Sequence, residues 1–206
     1  MLPAPPPASY LVAHPTGAGV ALRAAPGGAV LTTLGSRGLF GGPLELGVVQ
    51  RRGRWLGVTS ELLPNGRLGW IDARRVAVST VDTAIRIDLA ARRLTVLRAG
   101  RVVRRIAVAV GRSRTPTPVG RFAIAEKLPG TRYSAAVYGC CILALSARQS
   151  HPPAGWDPRQ TYYVAIHGGT GIGAAASAGC LHASERDLRW LMRTVPLGTP
   201  VFIRSR

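Results

Sequence analysis

Two side chains able to do nucleophilic chemistry, His167 and Cys180, lie thirteen positions apart. The histidine follows the apolar run Tyr162–Ile166 and opens the segment Gly168-Gly169-Thr170-Gly171. The cysteine ends Ser177-Ala178-Gly179-Cys180 and is followed by Leu181. A thiol nucleophile needs a base within reach and backbone N–H groups free to hold an oxyanion. A free thiol has a pKa of about 8.5, so only a small fraction is thiolate at neutral pH. Cys180 precedes a predicted helix start in a strongly basic chain, and both features favour the thiolate. Gly179 removes a side chain beside the nucleophile, which lets backbone amides face an oxyanion. By spacing alone, the bland alternative is an inert buried thiol and a hydrogen-bonded strand-end histidine. The glycine-rich contexts favour the chemical reading, because conformational freedom is concentrated where it must serve some purpose.

The elements that must carry these residues read as short strands. Ile85, Ile87 and Leu89 alternate with Arg86 and Asp88, the period of a half-buried strand. Leu94 and Val96 continue after a turn, Ala99-Gly100 marks a hairpin, and Arg101–Val110 reads as a third strand. Thr115-Pro116-Thr117-Pro118 cannot join a central ladder and reads as a rigid loop feeding a strand at Phe122. Tyr138–Leu145 is expected to be a buried strand, residues 150–159 a surface loop, and Tyr162–Ile166 the strand that delivers His167. Ser184-Glu185-Arg186-Asp187 fits a helix cap. Leu188, Leu191, Met192 and Val195 follow at helical spacing, and Pro196 stops the helix. Val201-Phe202-Ile203 reads as a last strand.

Upstream, residues 10–79 alternate apolar runs with turns at Pro26-Gly27-Gly28, Arg52-Gly53 and Asn65-Gly66, the pattern of a small barrel. Trp55 and Trp70 are expected in its core rather than on a ligand platform. Residues 79–83 read as a connector. Residues 1–9 form a Pro-rich tail without a secretory signal, so the chain is expected to be a mature or truncated form of something longer.

The chain has 206 residues, 25 glycines, 16 prolines and only three phenylalanines, which favours a turn-rich, mainly β architecture. Its 27 basic and 9 acidic residues give a net charge of +18, and Lys127 is the single lysine. Such a charge attracts polyanions at long range. Few aromatics and no arginine run argue against nucleic acid as the partner. Three cysteines do not make a disulfide framework. Cys140 and Cys141 are adjacent and are expected as unbridged residues of a strand, which leaves Cys180 a lone thiol. Without Cys-x-x-Cys spacing, no zinc site is expected.

Four motifs occur in order: Thr117-Pro118-Val119-Gly120-Arg121-Phe122, Ile166-His167-Gly168-Gly169-Thr170, Ser177-Ala178-Gly179-Cys180-Leu181, and Pro196-Leu197-Gly198-Thr199-Pro200-Val201. Together they make residues 83–204 resemble the catalytic domain of the L,D-transpeptidases, cysteine enzymes of bacterial peptidoglycan. Leu22–Pro26, Trp55–Val58 and Gly69–Ile71 resemble bacterial SH3-like domains, which often accompany cell-wall enzymes. The resemblance implies an SH3-like barrel followed by an L,D-transpeptidase-type β-sandwich with one helix near the carboxyl end. It implies Cys180 as nucleophile, His167 as base and the Gly168 carbonyl as its orienter. Ser177 and Gly179 would shape the nucleophile loop, and amides near Gly179 and Cys180 would form the oxyanion hole. Tyr138, Thr170 and His182 take substrate-binding positions.

The implied reaction passes through a Cys thioester. The acyl group comes from a tetrapeptide stem and goes to an amine acceptor in cross-linking, or to water in an L,D-carboxypeptidase. A non-catalytic wall-binding protein is the rival reading. No metal or organic cofactor is implied. The expected partners are peptidoglycan stem peptides and anionic wall polymers, the protein acting as an extracytoplasmic monomer. Three features depart from the family pattern. Ala178 stands where histidine is frequent, and His182 where arginine or asparagine is common. Only nine residues separate His167 from Ser177.

Overall fold

A computed structural model describes residues 9–17, 19–157 and 159–205. Apart from Ser9, the expected Pro-rich tail lies outside the described residues. The architecture is mainly β, as composition and periodicity predict. The first seven strands are β1 (Tyr10–Pro15), β2 (Val20–Arg23), β3 (Val30–Leu34), β4 (Leu46–Arg52), β5 (Trp55–Val58), β6 (Gly69–Asp72) and β7 (Val76–Val81). They form one antiparallel sheet in the order β3-β2-β6-β5-β4-β1-β7. Ala13, Leu22, Leu46, Leu56 and Ile71 fill its core. Trp70 is buried, as expected, whereas Trp55 stays half-exposed with the Arg54 guanidinium 5.0 Å from its ring. The connector expected over residues 79–83 shrinks to Asp82. Residues 79–81 complete β7, because Ser79, Thr80 and Val81 find ladder partners in Val12, Leu11 and Tyr10.

The second unit contains β8 (Thr83–Asp88), β9 (Arg93–Arg98), β10 (Arg101–Ala107), β11 (Val110–Gly111), β12 (Gly120–Pro129), α1 (Ala135–Tyr138) and β13 (Cys141–Arg148). It continues with β14 (Tyr163–His167), β15 (Ala175–Ser177), β16 (Leu181–His182), α2 (Glu185–Thr194) and β17 (Pro200–Arg204). Eight strands run in the order β10-β9-β8-β17-β12-β13-β14-β16, and β11 pairs with β15. Strand β12 changes neighbour midway. Residues 120–123 pair with β17, and from Ile124 onward the strand pairs with β13 across an irregularity at 124–126. Strands that switch partners at a bulge make the corners of sandwiches. Ile85, Val96, Ile124, Leu143, Ile166 and Leu191 meet in one core between the layers.

Helix α2 forms as its sequence dictates. Ser184 caps it by accepting from Asp187 N at 3.2 Å, and Leu188 and Leu191 are buried on one face. Arg104 of β10 donates to Asp187 at 2.7 and 3.0 Å, which ties the hairpin to the helix start. Ala99 and Gly100 both take positive φ, as the tight hairpin predicts.

Three local expectations are corrected. The strand read over Arg101–Val110 is two pieces, β10 and β11, separated at Val108-Ala109. The strand read over Tyr138–Leu145 begins only at Cys141. Tyr138 ends the short helix α1, and Gly139 at φ +67 turns the chain between them. Cys140 and Cys141 are joined by a disulfide rather than unbridged. Cys140 lies in the turn before β13 and is not held by a ladder on both sides, so the pair is not confined to strand geometry.

Candidate active site

Strand pairing brings the two motif segments together. β14 and β16 run parallel, with Ile166 opposite Leu181 and His167 opposite His182. His167 therefore ends one strand while Cys180 immediately precedes its neighbour. The short nine-residue segment between the motifs closes through turns at Gly171 and Gly173, and its end pairs as β15 with β11.

His167 is buried, and its Nδ1 meets the Gly168 carbonyl at 2.5 Å. A carbonyl only accepts, so Nδ1 carries the proton and Nε2 keeps the lone pair. The Tyr138 ring packs against the imidazole at a steep angle with centroids 5.0 Å apart, and the His182 ring centroid lies 4.9 Å away. Burial pushes the His167 pKa down to about 4. The Gly168 carbonyl opposes this shift and His182 adds to it. At neutral pH the imidazole is an uncharged base.

Cys180 is the free cysteine and is half-buried. Its Sγ contacts the Tyr163 carbonyl at 3.9 Å. Among the described residues no hydrogen bond joins it to His167. Burial pushes the Cys180 thiol up, against a smaller opposing effect of the Ala165 backbone. The expectation of a favoured thiolate is therefore overturned. Helix α2 starts five residues beyond the thiol, and its amino end already holds the cap Ser184 and the acidic Glu185 and Asp187. The resting pair is neutral thiol and neutral imidazole.

The loop before the thiol is fastened at every residue. Ser177 Oγ donates to the Cys180 carbonyl at 2.5 Å and accepts from Gly179 N at 3.0 Å. Thr115 Oγ1 donates to the Ser177 carbonyl at 3.2 Å, Gln149 Nε2 to that of Ala178 at 2.7 Å, and Thr117 Oγ1 to that of Gly179 at 2.9 Å. Three successive carbonyls are thus held by side chains, which fixes the peptide planes leading to Cys180. Gly179 sits at φ +119, and a Cβ there would lie 1.9 Å from Gln149 Nε2. Glycine is required by both conformation and space. Gly179 N–H is already given to Ser177, so among the amides expected to hold an oxyanion it is not free.

Cys180 opens into a cavity of about 240 Å³ lined by Phe40, Tyr138, Trp156, Tyr162, Tyr163 and other uncharged residues. Of the residues predicted to bind substrate, Tyr138 lines this cavity. Thr170 and His182 do not line it. His182 Nδ1 meets the Thr170 carbonyl at 2.8 Å, and so braces the glycine-rich segment beside His167. Sequence reasoning missed Thr115, Gln149, Tyr163 and Phe40. Thr117 stood in a quoted motif, whereas Gln149 and Phe40 come from distant segments with no local signal.

Comparison with known proteins places the second half of the chain in a family. The family model described as YkuD, L,D-transpeptidase catalytic domain, matches residues 82–203, more than half of the chain. The YkuD protein of Bacillus licheniformis is 32% identical over 127 residues, which covers 60% of this chain and 67% of that protein. The Bacillus subtilis YkuD protein matches with the same identity and coverage. Among solved structures, an L,D-transpeptidase from Mycobacterium smegmatis aligns with a TM-score of 0.45 at 18% identity, covering 69% of this chain and 75% of that one. One from Mycobacterium tuberculosis aligns with a TM-score of 0.46 at 17% identity, covering 69% and 67%.

Proposed function

Since the chain belongs to the L,D-transpeptidase catalytic-domain family, we propose that it is a cysteine acyltransferase that cross-links peptidoglycan. The observation that carries the reading is the free Cys180 at an uncharged cavity, just before the strand that pairs with the one ending in His167, whose Nε2 is left as a base. The donor is a tetrapeptide stem. Cys180 Sγ attacks the carbonyl of its third residue while the thiol proton passes to His167 Nε2. Developing negative charge on the carbonyl oxygen is met by Cys180 N–H, because Gly179 N–H serves Ser177. The C–N bond breaks, His167 returns the proton to the departing D-alanine amine, and a thioester remains. A side-chain amine of a second stem then attacks the thioester. It gives its proton to His167 and releases the sulfur, which regains that proton.

The neutral resting pair suits this sequence. Attack and proton transfer are coupled, and an uncharged cavity favours neither ion beforehand. The amino-terminal sheet acts as an SH3-like positioning module, and the protein works outside the cytoplasm as a monomer on the wall. The test is product analysis with purified disaccharide-tetrapeptide. The expected products are free D-alanine and a dimer joined between third-position residues, with Cys180→Ser giving neither. Release of D-alanine without dimer would replace the transpeptidase reading by a carboxypeptidase. No product from the wild type would reject both.

A further inference from the structure

The loop between β3 and β4 belongs to the amino-terminal sheet, yet it reaches the cavity of the second unit. Its Phe40 ring packs edge-on against Tyr163 at 5.8 Å and against Tyr133 at 6.4 Å, both cavity residues. Phe40 also packs on the small cluster of Leu128, Ile142 and Ala165 that touches Cys180. The loop is held by one buried carboxylate. Glu126 of β12, 2% exposed, accepts from Phe40 N at 2.7 Å and from Gly42 N at 2.8 Å. The loop is shaped to that carboxylate, since a Cβ on Gly38 would lie 2.4 Å from Glu126 Oε1 and one on Gly42 2.9 Å from Oε2. A buried polar group is retained only with good hydrogen-bond partners, and here both oxygens have one.

We propose that Phe40 is a specificity-determining wall of the cavity at Cys180, supplied by the amino-terminal unit, and that Glu126 is the positioning residue that holds it there. The inference rests on the acyltransfer reading above. It adds that the first unit takes part in donor recognition and is more than a tether. The cavity lining carries no charged side chain, so Phe40 selects by shape and apolar contact, and the part of the donor that enters is uncharged.

The test compares wild type, Phe40→Ala, Phe40→Tyr and Glu126→Gln as full chains. Acylation by tetrapeptide stem is measured together with alkylation of Cys180 by iodoacetamide. Phe40→Ala is expected to raise the donor KM about tenfold with little change in kcat, the loss typical of a missing apolar pocket wall. Phe40→Tyr is expected to restore it, and Glu126→Gln to shift KM in the same direction as Phe40→Ala. Iodoacetamide, too small to need the wall, reports the intrinsic reactivity of the thiol in each variant, and the other rates are read against it. An unchanged donor KM in Phe40→Ala, with an active wild type, overturns the proposal. If the wild type itself is not acylated, the functional reading has failed, and the wall is judged by a bulky aromatic maleimide instead. A larger maleimide-to-iodoacetamide rate ratio in Phe40→Ala than in wild type supports the wall, and an unchanged ratio overturns it.

Discussion

His167 and Cys180 owe their ionisation to burial rather than to each other. The imidazole is held at about 4, so it stays an uncharged base well below neutrality. The acid limb of kcat/KM is therefore expected below the ordinary histidine value of about 6.5. An acid limb at or above that value would contradict a buried neutral base. The same shift bears on stability. Between about 4 and 6.5 the unfolded chain binds a proton that the folded chain refuses, so stability falls as pH drops through that window. Urea unfolding should show this loss, and His167→Gln should flatten the part of it that belongs to this ring. The raised thiol gives another expectation. Alkylation of Cys180 in the free enzyme should be slow at pH 7 and rise only in the alkaline range, contrary to an activated resting thiolate. The sequence singles out His167 and Cys180, because both stand in motifs. It did not reveal their protonation, because burial is set by residues such as Tyr138 and Tyr163 that no motif ties to the thiol.

At the scale of elements, the loop before Cys180 is a tight turn clamped from two directions. The 115–117 segment holds the carbonyls of Ser177 and Gly179, and Gln149 at the end of β13 holds that of Ala178. Thr117→Val should leave the Gly179 carbonyl and Gly111 N–H without their partner, at a cost of about 1–3 kcal/mol in urea unfolding. The same variant should lower kcat, because the peptide plane beside the thiol is released. A variant with wild-type stability and kcat would show the clamp to be dispensable. Gly179→Ala should be more severe, since it meets both a positive φ and the Gln149 amide.

Helix α2 was readable to its cap because its information is local: Ser184, the helical spacing of leucines, and Pro196. The start of β13 was not. Gly139 interrupts an apolar run that, by composition alone, continues from Tyr138 to Leu145. The Cys140–Cys141 bridge is hidden for a related reason, since the apolar run reads as strand through the turn that holds Cys140.

The whole molecule joins two β units through polar as well as apolar contacts. Asn65 exchanges hydrogen bonds with the Arg148 backbone at 2.7 and 2.8 Å, Arg148 Nε donates to the Glu61 carbonyl at 2.7 Å, and Glu126 holds the Phe40 loop. None of these partners is close in sequence, so the way distant segments build the cavity together was not legible. The net charge of +18 also acts at this scale. Attraction of the basic surface to anionic wall polymers should weaken steeply with salt. Co-sedimentation with purified cell wall across a salt series checks this, and salt-independent binding would discard the charge as the cause.

The claim on which the rest depends is that Cys180 is the acyl-accepting nucleophile and His167 its base. Peptide mapping by mass spectrometry after exposure to a carbapenem or a tetrapeptide stem tests it most directly. The account predicts one covalent adduct, on Cys180, formed much more slowly in His167→Ala and absent in Cys180→Ser. An adduct on another residue, or an unmodified Cys180 in folded protein, would contradict it.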